Sequence, residues 1–332
     1  MIRLIDNTLT ALDNCMPSKE DLHTFCELLS MIGVDVIELS VSAFQRMEYL
    51  PDTGKYILHI GLDDEMVNDP GFYRYVCHHE IFLDKFIYEI QMNDAREIVK
   101  LRALRNYKEL RIVGLDDLMC NTYEKIMQEM KSALPGSTII FCPENTYGCA
   151  SALAVQWLLG YGNEVTTSFA GIGNNAATEE VTMALRLAAR YKPNKDLSVL
   201  PKLTSLFEKF INKPVGNKKP IIGKNIFKVE AGIHADGIMK NPATYEAYHP
   251  ECVGGKSEIV IGKHSGSKAV ILKMEELGLP GMEEPLIDII LQIVKQVCTQ
   301  GNKSLSDAEF AQIVKQVKSM EVKPGERKKI YC

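Results

Sequence analysis

Short runs of β-branched and apolar residues alternate with stretches of helical periodicity through residues 1–190. Ile2–Thr8, Asp35–Ser40, Tyr56–Ile60, Asp84–Gln91, Glu109–Leu115, Ser137–Cys142 and Glu164–Phe169 read as strands. After the first of them, Pro17-Ser18-Lys19-Glu20 opens a helix with Ser18 as its cap. An apolar stripe then runs to Leu29, and Gly33 ends the helix ahead of the next strand. This alternation predicts an α/β fold, a parallel sheet or barrel covered by helices. Seven strands are one short of a complete (β/α)8 barrel. The pattern therefore predicts a degenerate or truncated TIM barrel lacking a strand-helix unit of roughly 30 residues. The open edges of such a barrel seek cover, which favours a stabilising partner chain.

After Arg190 the alternation stops. Leu200–Phe210 has helical periodicity, and Lys213–Asn225 is basic and punctuated by Pro and Gly. Ser267–Leu277, Pro285–Gln300 and Ser306–Val317 are amphipathic helices by their spacing, and Lys323–Lys329 reads as an exposed tail. The expected division is a barrel domain at 1–190, a linker at 191–227 and a mostly helical subdomain at 228–332.

Composition narrows the class. The chain has 332 residues, 46% of them hydrophobic, enough for a large core, and a net charge of -5 that argues against a nucleic-acid surface. Nine cysteines without paired spacing fit a reducing compartment better than a disulfide framework. No apolar run approaches the roughly 18 residues of a membrane span. There is also no basic-then-apolar leader. The expectation is a cytoplasmic protein.

The chemistry-bearing segments come in two groups. Asp6-Asn7-Thr8-Leu9-Thr10-Ala11-Leu12-Asp13-Asn14 follows the first strand, Cys142-Pro143-Glu144-Asn145-Thr146-Tyr147-Gly148 ends a later one, and Gly173-Asn174-Asn175 follows the last. Downstream lie Ala231-Gly232-Ile233-His234-Ala235-Asp236-Gly237-Ile238, then Asn241-Pro242-Ala243-Thr244-Tyr245-Glu246, Val253-Gly254 and Ile261-Gly262-Lys263-His264-Ser265-Gly266. Together these resemble the acyl-CoA condensing enzymes: the homocitrate, isopropylmalate and citramalate synthases and their metal-dependent lyase relatives. The resemblance covers nearly the whole chain, weakly over 1–190 and strongly over 228–275.

The family's opening signature is Asp-Thr-Thr-Leu-Arg-Asp-Gly-Glu-Gln, in which the Arg steadies a developing enolate and the next Asp binds a divalent metal. Thr10 and Ala11 stand in those places, and a hydroxyl and a methyl do neither job. The second family element is His-x-His-Asn-Asp-x-Gly, two His on one strand face reaching one ion. Cys142 and Glu144 occupy the His places, and Asn175 survives from the third element without its Glu-Arg pair. The stretch from Asp6 to Cys142 is also shorter than its counterpart in the intact synthases. Cys142, Glu144 and Asn175 could ligate a zinc-type ion. Ala11 removes a ligand, however, and a buried Cys is more often a small hydrophobe. The expectation is no metal on this chain.

The 228–275 stretch resembles the family's lid, in which a His and a Tyr eleven residues on act at the acetyl-CoA methyl group. His234 and Tyr245 match by type and spacing and are the candidate catalytic pair. A base near ambient pKa suits a weak carbon acid, and a nearby hydroxyl can orient it. The bland alternatives are a structural His in the apolar stretch Ile233–Met239 and a packing aromatic. The glycines around His264 suit a tight loop at a helix N-terminus, one that could meet a CoA phosphate, though structural punctuation is the simpler use. His78-His79 and His249 show no partner at ligand spacing and read as surface.

Barrel residues lost and lid residues kept is the pattern of a division of labour. In the intact family the lid crosses a homodimer and serves the other chain's barrel. The resemblance therefore implies a heteromer with a barrel-intact homocitrate synthase-like subunit, similar to the omega type of a split nitrogen-fixation homocitrate synthase. The divalent metal would sit on the partner barrel, with acetyl-CoA as co-substrate and 2-oxoglutarate as the keto acid. Three alternatives stay open: a non-catalytic stabilising or regulatory partner of such a synthase, a citramalate- or isopropylmalate-type acyltransferase, and a self-sufficient enzyme using Cys142 and Glu144 on a new metal.

Overall fold

In the computed structural model, which describes residues 1–12, 15, 17–78, 85–120 and 122–321, eight parallel strands close into a ring. The chain forms two compact units, Met1–Lys224 and Asn225–Cys332.

The first unit runs β1 (Arg3–Asp6), α1 (Thr8–Ala11), α2 (Lys19–Ile32), β2 (Val36–Ser40), α3 (Val41–Met47), β3 (Lys55–His59), β4 (Arg74–Cys77) and β5 (Phe86–Met92). It continues through β6 (Glu109–Gly114), α4 (Tyr123–Ala133), β7 (Thr138–Pro143), α5 (Ala150–Gly160), β8 (Glu164–Thr167), α6 (Thr178–Ala189) and α7 (Leu200–Ile211), with 3-10 turns at Ala95–Leu104 and Asp116–Cys120. Each strand pairs with its sequence neighbour, and β1 pairs with β8, Ile5 opposite Thr166.

The α/β barrel followed by helices stands, but the count of seven strands was one short. The strand missed is β4, whose Arg74 points at the lower end of the ring. Its guanidinium clasps Glu164 through two bonds, Nη1 donating to Oε2 at 2.6 Å and Nη2 to Oε1 at 3.2 Å, and its Nε lies 3.0 Å from Glu109. The shortfall lies instead in the helical coat. No helix forms between β3 and β4. Cover comes from aromatics: Phe72, buried, packs edge-on against Phe44 of α3 at 4.8 Å and lies 6.0 Å from Tyr75 of β4.

Elsewhere the coat is built as expected. Ser18 Oγ accepts the Asp21 amide at 3.2 Å to start α2. Gly33 stops it at φ 108°, a left-handed conformation that glycine adopts without a Cβ penalty. Leu200–Ile211, inside the segment read as a linker, packs on α2, with Phe210 5.3 Å from Phe25. Trp157 of α5 is buried against Phe141 of β7 and donates to the Glu164 carbonyl at 3.2 Å.

The second unit comprises β9 (Lys228–Val229), α8 (Gly232–Lys240), α9 (Pro242–Tyr245), β10 (Glu258–Ile259), α10 (Ser267–Glu276), α11 (Glu284–Gly301) and α12 (Asp307–Glu321). The strands β9 and β10 pair in parallel. The last three helices bury Val270, Met274, Ile290, Val294, Phe310 and Val314 in one core. Among the described residues no helix is long and apolar enough to cross a membrane. His79 and the tail Lys323–Lys329 lie outside the described residues.

Candidate functional site

Alternate residues of a strand share a face, so the ring interior can be followed two residues at a time. Ile5, Val36, Ile57, Val76, Ile87 and Ile140 form one buried apolar cluster. Two residues further along their strands come Asn7, Glu38, His59, His78, Glu89 and Cys142. The ring is thus apolar at its waist and polar at the carboxyl ends of its strands, the end at which barrel enzymes place their chemistry.

Arg111 of β6 organises this mouth. It sits opposite Glu89 in register and is 1% exposed. Its Nη1 donates to Glu89 Oε2 at 3.1 Å, and its Nη2 donates to Glu38 Oε2. Burial opposes the guanidinium charge, but the two carboxylates outweigh it and hold Arg111 charged. Thr10 Oγ1 lies 3.4 Å from Glu38 Oε1, so the hydroxyl standing where the family has Arg reaches the same carboxylate.

His59, at the end of β3, and His78, just after β4, face the free edge of Glu89. Their Nε2 atoms lie 3.6 and 3.1 Å from Glu89 Oε1, and the rings cross at 81° with centroids 5.9 Å apart. Burial would raise the Glu89 carboxyl. The hydrogen bond from His59 and the neighbouring positive charges instead bring it down to about 2. Burial likewise disfavours charge on His59, yet Glu89 and Glu38 lift its imidazole above its ordinary value. His78 is exposed, as its reading as a surface residue expects, but the expectation that it lacks partners is corrected here. Its partners come from β3 and β5, and register across strands is invisible in residue spacing along one chain.

The wall between β1 and β7 is different. The Cys142 thiol donates to Asn175 Oδ1 at 3.6 Å, and Asn175 Nδ2 donates to Asn7 Oδ1 at 3.3 Å. Burial pushes the Cys142 thiol up, whereas a metal ligand must be a thiolate. The Ala11 methyl stands beside Gly173, where a Cβ would lie 3.1 Å from it and 3.2 Å from Asn175 Nδ2. Glu144 directs its carboxylate elsewhere, accepting from Gln91 Nε2 at 3.2 Å. The fold thus brings Ala11, Cys142 and Asn175 together, yet this donor set does not fit a divalent ion. Asp6 is tied into the same wall, accepting from the Thr8 amide at 3.0 Å and from Thr178 Oγ1 at 2.5 Å, and burial raises its carboxyl to about 6.

In the second unit His234 lies on α8 and Tyr245 closes α9. Both are exposed, and their ring centroids are 5.8 Å apart at 49°. Gly237 makes this possible, because a Cβ there would fall inside the Tyr245 ring. Asp236 bridges Lys268 at 2.7 Å and Lys240 at 2.9 Å, and these hydrogen bonds hold its carboxyl below the usual range. The loop Gly262–Gly266 is occupied by this chain's own Glu230. Glu230 Oε1 accepts the His264 amide at 2.7 Å, and its carbonyl accepts Ser265 Oγ at 3.1 Å. A carboxylate therefore fills the place considered for a phosphate. His249 is exposed.

Comparison with known proteins places these features in a lineage. A model described as homocitrate synthase post-HMGL domain-like matches residues 221–303. The omega subunit of homocitrate synthase from Clostridium pasteurianum is 30% identical over 336 residues, covering 95% of this chain and 94% of that one. Homocitrate synthase AksA of Methanothermobacter thermautotrophicus is 35% identical over 58% of this chain and 49% of its own length. (R)-citramalate synthase CimA of Methanocaldococcus jannaschii is 29% identical over 90% of this chain and 63% of its own.

Proposed function

The chain belongs to the homocitrate synthase family, and from that premise we propose that it is the omega-type subunit of a split homocitrate synthase, working at the acetyl-CoA end of the reaction. The observation that carries this reading is the joint state of the two units. His234 and Tyr245 are held together on α8 and α9, while the β1–β7 wall presents a methyl, a thiol and an amide. An imidazole is a base matched to neutral pH. In the proposed role His234 removes a proton from the acetyl-CoA methyl group, and Tyr245 positions the imidazole through its hydroxyl. The resulting carbanion forms the new bond to the keto carbon of 2-oxoglutarate, whose oxygen takes a proton. Water then cleaves the thioester and releases CoA. The keto acid and any ion that polarises it are assigned to a partner subunit's barrel.

The test mixes this chain with a barrel-intact subunit and follows CoA thiol release from acetyl-CoA and 2-oxoglutarate. The expected result is activity only in the mixture, abolished by His234→Ala and lowered in kcat more than in KM by Tyr245→Phe. Turnover by the isolated chain refutes the division of labour. A complex whose rate ignores His234→Ala makes the chain a stabilising or regulatory partner. Because the citramalate synthase similarity extends over 90% of this chain, pyruvate is run beside 2-oxoglutarate. A preference for pyruvate moves the assignment to a citramalate-type enzyme.

A further inference from the structure

The mouth of the barrel carries a second set of donors that the proposed reaction does not use. His59, His78 and Glu89 each offer a ligand atom within 4.8 Å of the others, and among the described residues no other group of histidine, cysteine and carboxylate ligands comes so close. For ligands about 2.0–2.1 Å from a tetrahedral zinc ion, the distance between two ligand atoms is about 3.3 Å. The separations of 3.1 and 3.6 Å from Glu89 Oε1 bracket that edge. Both separations are those of two ligand atoms sharing one ion.

The surroundings are those of a supported site. Arg111 holds Glu89 by its other oxygen, Oε2, at 3.1 Å, so Oε1 is left facing the two imidazoles. Ligating carboxylates are commonly oriented in this way by an outer partner. Arg111 is itself anchored on Glu38. With both imidazoles neutral, as metal ligands must be, two carboxylates against one guanidinium leave the pocket one negative charge in excess, which favours a cation. The donors come from the carboxyl ends of three consecutive strands of a closed ring, a rigid support. Glu89 is 8% exposed, whereas the His78 side chain is 45% exposed, so one side of the triangle opens to solvent.

We propose that His59, His78 and Glu89 form a binding site for a divalent transition cation of the zinc class, with at least one coordination position open to water. Two imidazoles and one carboxylate suit Zn(II), Co(II), Ni(II) or Fe(II) and are a poor match for the all-oxygen shells of Mg(II) and Ca(II). Three protein ligands plus water is the composition of zinc sites that keep a position for a reacting molecule. The site lies on β3, β4 and β5, apart from Ala11, Cys142 and Asn175, and does not depend on the split-enzyme reading.

The test uses the full chain alone, stripped with chelator and titrated with Co(II), then with Zn(II) as competitor. Expected are one equivalent of Co(II) per chain with the visible bands of a four- or five-coordinate ion, and their loss as Zn(II) displaces it. His78→Ala, at a half-exposed position, is expected to weaken binding by about tenfold or more, while Cys142→Ser leaves it unchanged. X-ray absorption at the zinc edge of the unmodified complex is expected to show nitrogen and oxygen neighbours only. That measurement stands even if a variant fails to fold. Absence of saturable binding, binding indifferent to His78→Ala, loss of binding in Cys142→Ser, or a sulfur neighbour near 2.3 Å would each overturn the proposal. None of these outcomes touches the role of His234, which is read only in the mixed complex.

Discussion

Replacing Arg111 with Met keeps an unbranched stem in the barrel but removes the guanidinium that bridges Glu38 and Glu89, both buried, at 1% and 8% exposure. Each lost charge-assisted bond is worth about 1.5–3 kcal/mol. Removing one partner from a buried ionic cluster typically costs about 3–5 kcal/mol, because the remaining charges stay desolvated. We expect a loss of about 4 kcal/mol at pH 8. The pH dependence gives a sharper signature. In the native protein Glu89 is depressed to about 2 from an ordinary 4.5. Its contribution is therefore fully present above 4.5 and is lost only as pH falls toward 2. Without Arg111, only His59 and His78 oppose the burial of Glu89, so its carboxyl rises from about 2 toward its ordinary value. The variant then lacks part of the stability that the depressed Glu89 carboxyl contributes above pH 4.5. The gap between native and variant must therefore narrow as pH falls from 4.5 toward 3. Urea unfolding followed by Trp157 fluorescence reads this cleanly. Trp157 is the only tryptophan and is buried in the first unit, so Asn225–Cys332 adds no signal. A gap below about 1 kcal/mol at pH 8, or one that stays constant as pH falls from 4.5 toward 3, refutes the assignment of Arg111 as the charge that permits this mouth. Replacing Glu38, Glu89 and Arg111 together with apolar residues should cost far less than R111M alone.

Two further outcomes follow from local geometry. Gly237→Ala should raise helix propensity by up to about 1 kcal/mol yet expel the Tyr245 ring. Tyrosine accessibility should thus rise while the melting temperature holds or increases, and an unchanged Tyr245 environment would contradict the packing described. Asp6 is raised to about 6 and Glu179 to about 7 by burial. The folded state therefore binds protons that the unfolded state releases, and stability should climb as pH falls from 8 toward 4. Asp6→Asn should flatten part of that climb and stabilise the protein at pH 8 by roughly 1–3 kcal/mol, since the Thr178 hydroxyl can reverse and accept.

Much of the fold could be read from residue order, because β-branched runs and capped helices are local signals. Ser18 and Gly33 announced both ends of α2 and do the work expected of them. The strand β4 escaped because Arg74-Tyr75-Val76-Cys77 is short and carries a charge, and no helix before it marks the rhythm. That charge is satisfied by Glu164, ninety residues away in sequence. The mouth was hidden for the same reason. Glu38, His59, His78, Glu89 and Arg111 sit singly on five strands, and only the register aligns them. His234 and Tyr245 were legible because both fall within one short stretch, and Gly237 between them is the residue that lets their rings meet. Glu230 gave no signal as the occupant of the Gly262–Gly266 loop, since its tie to His264 spans thirty-four positions.

Closure of the ring without a helix between β3 and β4 has a consequence for how small such a scaffold can become. Every strand's main chain is bonded on both flanks, so integrity resides in the hoop, and outer cladding is removable wherever a few bulky rings can keep water off. Phe44, Phe72 and Tyr75 perform that insulation here. Shortening of this architecture can therefore proceed from the outside inward, leaving the rim geometry, and whatever ligands it holds, undisturbed.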